Sequence, residues 1–130
     1  MVHALLALSS TILILPEAIW ELWYYPDQWH AYLAALVAVA SIRNHTTTSV
    51  AWQRADRFLV WCIASTNVAQ SPADMAVYAV LTTVLYFGVV RRVGWPPAVR
   101  TTAHLVVHAL GVATNVFAVR HNLHHHVAFE

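Results

Sequence analysis

Five apolar runs lie along the chain, each parted from the next by a short polar break. They extend from about Val2 to Trp20, from Trp29 to about His45, from about Arg57 to Gln70, from Met75 to Val90, and from about Ala98 to Val119. The breaks are Tyr25-Pro26-Asp27-Gln28, a polar stretch from Asn44 to Asp56, Ser71-Pro72-Ala73-Asp74, and the loop from Arg91 to Pro97. Pro72 cannot continue a helix. Runs so closely spaced leave little polar surface. Charged residues are 10% of the chain and hydrophobic ones 59%, whereas a soluble domain carries about 25% charged residues. The mean hydropathy of +0.55 agrees. This balance argues against a cytosolic globular enzyme, and it excludes disorder.

The expected fold is therefore all-α: one integral membrane bundle, residues 1–130, of about five transmembrane helices. A short polar tail follows at 120–130. A span needs roughly 20 residues. The fifth run meets this, and the second, third and fourth meet it when their polar flanks enter the interface. Trp20, Trp23, Trp29, Trp52 and Trp95 sit near run ends, where tryptophan suits the interface. In lipid the backbone must satisfy its own hydrogen bonds, which favours helices. Arg43, Arg54 and Arg57 flank the second break, and Arg91, Arg92 and Arg100 flank the fourth, while the other two breaks hold no lysine or arginine. The positive-inside rule then predicts a cytoplasmic N-terminus and a C-terminus on the opposite side, with Arg120 as the exception. The net charge of +1 leaves no basic field for nucleic acid. The single cysteine, Cys62, forms no internal disulfide and reads as a packing residue.

Histidine is the outlier, with nine residues against seven lysines and arginines together. His104 and His108 form H-x-x-x-H on the fifth run, one helical turn apart on one face. Ser41 and His45 have the same spacing at the end of the second run, and Asp56 opens the third. The predicted topology brings His45, Asp56, His104 and His108 to similar depth on the arginine side. Ionisable groups in membrane helices are costly and normally face the interior. Stripes through Gly111 and Asn115, and through Val60, Ile63 and Asn67, continue these faces. Asn67 and Asn115 are read as hydrogen-bonding partners between helices. Glu17 and Glu21 are read as lying at a helix end near the interface, and His3 and His30 as interfacial. His121, His124, His125 and His126 are read as a solvated tail. Asn44-His45-Thr46 matches an N-glycosylation pattern that the predicted topology leaves unused.

Ser41-x-x-x-His45, then Asp56, then His104-x-x-x-His108 resembles the membrane hydrolase superfamily of the alkaline ceramidases and adiponectin-type receptors. That superfamily carries serine and histidine on its second helix, aspartate at the start of the third, and an H-x-x-x-H pair on the last. The eleven-residue step from His45 to Asp56 looks like the family pattern. The resemblance covers a few positions between Ser41 and His108. The family has seven helices against the five counted here, and its acidic calcium site is not carried over to Glu17, Glu21 and Asp27.

Three histidines with an open fourth position suit catalytic zinc, here His45, His104 and His108. Zinc lowers the pKa of bound water to about 7. Asp56 is placed as general base, and Ser41 as a hydrogen-bonding partner of the water or of the developing oxyanion. The resemblance implies a lipid amide such as ceramide, whereas the residues themselves imply only a substrate that reaches a membrane-embedded site. The competing readings are a bis-histidine haem protein, a small channel or transporter, and a structural or receptor-like protein, with homo-oligomerisation open to all.

Overall fold

The structure, a computed structural model, describes residues 2–70, 73–92 and 94–127. The turn at Ser71-Pro72 and the side chains of His3, Asp74, His124, His125 and His126 lie outside the described residues. Among the described residues the fold is all-helical, without strands. Five rods follow one another. The first is α1 (Val2–Ser9), a π-helical turn π1 (Ser10–Ile14) and α2 (Leu15–Tyr24). Next come α3 (Trp29–Thr46) and α4 (Val50–Gln70). The fourth joins α5 (Ala73–Leu85) to a second π-helical turn π2 (Tyr86–Val90), and the fifth is α6 (Pro97–Val127).

Two stretches are long and apolar enough to cross a membrane, Ala4–Tyr24 and Pro97–His121. Ala76–Val90 is a shorter apolar helix. Many large apolar side chains are exposed along the rods, among them Leu8, Ile12, Leu36, Phe58, Val84 and Phe117.

The rod ends have local causes. Pro16 is the second residue of α2, and its ring crowds the carbonyl four residues back. That carbonyl belongs to Ile12, inside π1, where the turn is already widened. The chain reverses at Pro26, with the amide of Gln28 donating to the Tyr25 carbonyl at 3.0 Å. Thr46 and Thr47 turn their hydroxyls back on the carbonyls of Ile42 and Arg43 at 2.8 Å, a competition with the backbone that suits a helix end. Pro97 opens α6, where its missing N–H costs nothing. The Arg100 Nε donates to the Val90 carbonyl at 3.0 Å and so occupies the end of π2.

Two differences from the sequence reading concern extent. The polar stretch 44–56 is mostly helical: α3 continues to Thr46 and α4 starts at Val50. The tail is helical through Val127, as a continuation of α6.

The chain divides into two compact units, 1–63 and 64–130, with the division falling inside α4. In the first, α3 packs against α1, π1 and α2. Ala31, Ala34, Ala38, Ser41 and His45 are all buried and recur at intervals of three and four, one continuous face of α3. Small residues there let a neighbouring backbone come close. The facing rod buries Ser10, Ile14, Ala18 and Glu21 at the same spacing.

In the second unit α6 packs against α5 and π2. Val90, Ala103 and Val107 form its apolar centre, with Leu85, Tyr86 and Val89 against them. The Asn67 amide donates to the Asn115 side-chain oxygen, joining the end of α4 to α6, as the sequence predicts.

Candidate metal centre

In the first unit, Ser41 and His45 share the buried face of α3, one turn apart. The Ser41 hydroxyl lies 3.0 Å from that of Ser10. Beyond the Thr47–Ser49 turn, Asp56 is buried in α4 and accepts a hydrogen bond of 2.6 Å from the Asn44 amide. This bond ties the residue preceding His45 to Asp56. A second tie crosses the same turn, with the Arg43 guanidinium 5.6 Å from the Trp52 ring centre. The Asp56 Oδ1 is buried with no hydrogen-bond partner among the described residues.

In the second unit, His104 and His108 lie on one face of α6 with ring centres 4.8 Å apart. The Tyr86 ring meets His104 edge-on at 5.8 Å. His108 is buried and His104 half-buried, and the face continues through Gly111 to the buried Thr114 and Asn115.

Each unit thus carries imidazole donors of the kind that could hold a metal ion: His45, buried on α3, in the first, and His104 with His108, one helical turn apart on α6, in the second. The donors fit zinc: three imidazoles, which leave a fourth position open. Ser41 and Asp56 make no hydrogen bond to these histidines among the described residues; they bond Ser10 and Asn44 instead.

Asn44 and Ser10 are the neighbours that sequence reasoning missed. In the sequence Asn44 stands out only as part of a glycosylation pattern, whereas its amide is engaged with Asp56. Ser10 left one usable signal: it shares helical spacing with Glu17 and Glu21 and so faces inward with them.

A correction concerns Glu17, Glu21 and His30, which the sequence suggested lie at the interface. All three are buried, and Glu21 is fully so. His30 Nδ1 lies 2.8 Å from Glu21 Oε2. A carboxyl and an imidazole in an apolar bundle gain more from each other than from a partly solvated helix end. This pair belongs to the opposite end of α3 from His45, fifteen residues and about 22 Å away by helical rise.

No protein-family model matches the chain, and neither does any curated protein or solved structure.

Proposed function

We propose that the chain is a membrane-embedded zinc-dependent hydrolase acting on a lipid amide or ester. The observation that carries this reading is the pair of His104 and His108, one turn apart on one face of α6 with ring centres 4.8 Å apart, to which we add His45, buried on α3, as the third ligand. Zinc bound by three imidazoles supplies an acidified water and polarises a carbonyl. Each of the chain's own residues then has a definite task. His45, His104 and His108 hold the ion as neutral imidazoles. Asp56 takes the proton of the attacking water and returns it to the leaving group. Asn44 holds one oxygen of Asp56 and leaves Oδ1 for that exchange. Ser41, one turn from His45, fixes the direction of the water.

A membrane setting is supported by the two long apolar stretches and by the exposed apolar side chains along the rods. A lipid is the substrate class that reaches a site in such surroundings, and the ceramidase-like spacing of Ser41, His45, Asp56, His104 and His108 favours an amide. The arginine asymmetry supports an N-terminus on the cytoplasmic side.

The haem alternative fits less well. Axial ligands approach a haem from opposite faces. His104 and His108 lie on one face of one helix with ring centres 4.8 Å apart, so they do not serve as the two axial ligands of one haem.

The test is metal analysis of detergent-purified protein, wild type beside His108→Ala, followed by hydrolysis of a fluorescent short-chain ceramide. One zinc per chain in the wild type, lost in the variant, together with amide hydrolysis, supports the reading. A wild type that takes up no zinc rejects it.

A further inference from the structure

Ser10 occupies an unusual position. It opens the π-helical turn of the first rod, and its side chain is completely buried. π-helical turns occur often at functional sites, where one widened turn re-aims the residues around it. Here the Ser10 oxygen lies 3.0 Å from that of Ser41, on a different rod and 31 residues away. Neither serine is needed to satisfy its partner: a serine in an apolar helix can bond back to its own backbone, as Ser9 does with the Leu6 carbonyl at 2.9 Å.

The direction of the contact follows from counting protons. A serine hydroxyl has one proton to donate and two lone pairs to accept with. Ser10 donates its proton to the Leu6 carbonyl at 2.9 Å. The contact between the two serines needs a proton, and only Ser41 has one left. Ser41 therefore donates to Ser10. With that proton committed, the Ser41 oxygen can only accept from any further partner.

We propose that Ser10 is a positioning residue for Ser41, holding the Ser41 hydroxyl so that its oxygen accepts from the attacking water and gives no proton to the oxyanion. The inference rests on the hydrolase reading above and assigns Ser41 one of the two roles the sequence left open. An acceptor aimed at a water fixes where the water's remaining lone pair points. A donor would instead bind the oxygen that becomes negative later in the reaction.

The experiment uses the full chain in detergent, loaded with cobalt(II) in place of zinc, as wild type, Ser10→Ala, Ser10→Thr, Ser41→Ala and the Ser10→Ala/Ser41→Ala double variant. The visible absorption of cobalt reports on its surroundings without requiring turnover. Ser10→Ala should keep one cobalt per chain, change the absorption in the same sense as Ser41→Ala, and add nothing in the double variant. With a fluorescent short-chain ceramide, kcat should fall about tenfold at unchanged KM, the size of one lost hydrogen bond. Ser10→Thr, which keeps the hydroxyl, should restore both readouts. A wild-type spectrum in Ser10→Ala beside a changed one in Ser41→Ala overturns the assignment. So does an effect of Ser10→Ala that persists in full when Ser41 is already alanine. Loss of helical content and cobalt together in Ser10→Ala and Ser10→Thr alike marks a packing role and overturns it too. A wild type that binds no cobalt removes the hydrolase reading itself, and this assignment with it. Bound cobalt with a silent Ser10→Ala removes the assignment alone.

Discussion

In the unit spanning residues 1–63 the buried polar groups are largely ionisable, and their partners lie on other helices: Glu21 with His30, Asp56 with Asn44, and Ser10 with Ser41 between them. In the unit spanning 64–130 they are mostly neutral and self-sufficient. Thr101 and Thr114 donate to the Pro97 and Leu110 carbonyls of their own helix at 2.9 and 2.7 Å, and Asn67 pairs with Asn115. A buried hydroxyl that satisfies itself within one helix makes little demand on its surroundings. A buried carboxyl does, because removing its partner strands a group that water no longer solvates. The alanine-lined face of α3 meets that demand by letting the partner helix come close enough for short bonds. The first unit thus holds the chemistry that depends on tertiary packing. The second presents His104 and His108 on a helix whose polar interior needs less support.

The histidines test this contrast most severely. On the proposed function, alanine at His45, His104 or His108 should each weaken zinc binding by about 100-fold or more, since two donors make a poor site. Metal content of purified protein after dialysis against a weak chelator measures this. Zinc retained in His45→Ala but lost in His104→Ala would leave the second unit as the sole metal-binding element.

Asp56 comes next. Asp56→Asn keeps the volume and a hydrogen-bonding oxygen but removes the carboxylate. Zinc should stay while hydrolysis falls by roughly 10²–10⁴-fold, the usual share of a general base. Zinc and activity measured on one preparation separate the alternatives. Loss of both would make Asp56 a ligand. Undiminished activity would make it a structural partner of Asn44 and nothing more.

Part of the site is legible in the sequence for a simple reason: helical spacing is a local property. His104 with His108, Ser41 with His45, and the inward stripe to Asn115 all follow from one turn of helix. That His45, His104 and His108 share one depth is an expectation that rests on the arginine asymmetry. The Asn67–Asn115 bond was likewise readable, because polar residues on apolar helices seek one another. What the sequence hid depends on distance across a turn. Glu21 and His30 look like interface residues when taken singly, and nothing in the spacing says that the reversal at Pro26 brings them to 2.8 Å. The helical run through Val50–Asp56 was masked by its own polarity: Gln53 and Arg54 break the apolar pattern without breaking the helix. The π turn at Ser10–Ile14 has no compositional mark beyond Pro16 downstream.

A third test compares the units directly through stability. His30→Ala leaves the Glu21 carboxyl buried without its imidazole. Stranding a buried charge in this way costs about 3–5 kcal/mol. Thr114→Val removes a hydroxyl that bonds only within its own helix, and its cost should stay near or below ~1 kcal/mol. Reversible denaturation in mixed detergent, followed by helical circular dichroism, measures both. Equal losses would erase the distinction between the units. A His30→Ala protein as stable as wild type would show that the pair is neutral and contributes no more than an ordinary hydrogen bond.

The smallest effect lies at the Asn67–Asn115 bond, which joins α4 to α6 in the second unit. Asn67 and Asn115 are both buried. In a membrane the unfolded helices also find partners for such amides, so the pair gains less than its burial suggests. Measured interhelical hydrogen bonds of this kind average about 0.6 kcal/mol and reach about 1.7 kcal/mol at most. A double-mutant cycle of Asn67→Ala and Asn115→Ala isolates the coupling from the separate costs of the two truncations. A value within that range keeps the second unit as the less demanding half. A coupling of about 3 kcal/mol or more, as large as that expected at Glu21 and His30, would mean that both units depend on cross-helix polar bonds. The contrast would then lie in charge alone, because the amide pair holds no ionisable group while Glu21 and His30 are an acid and a base.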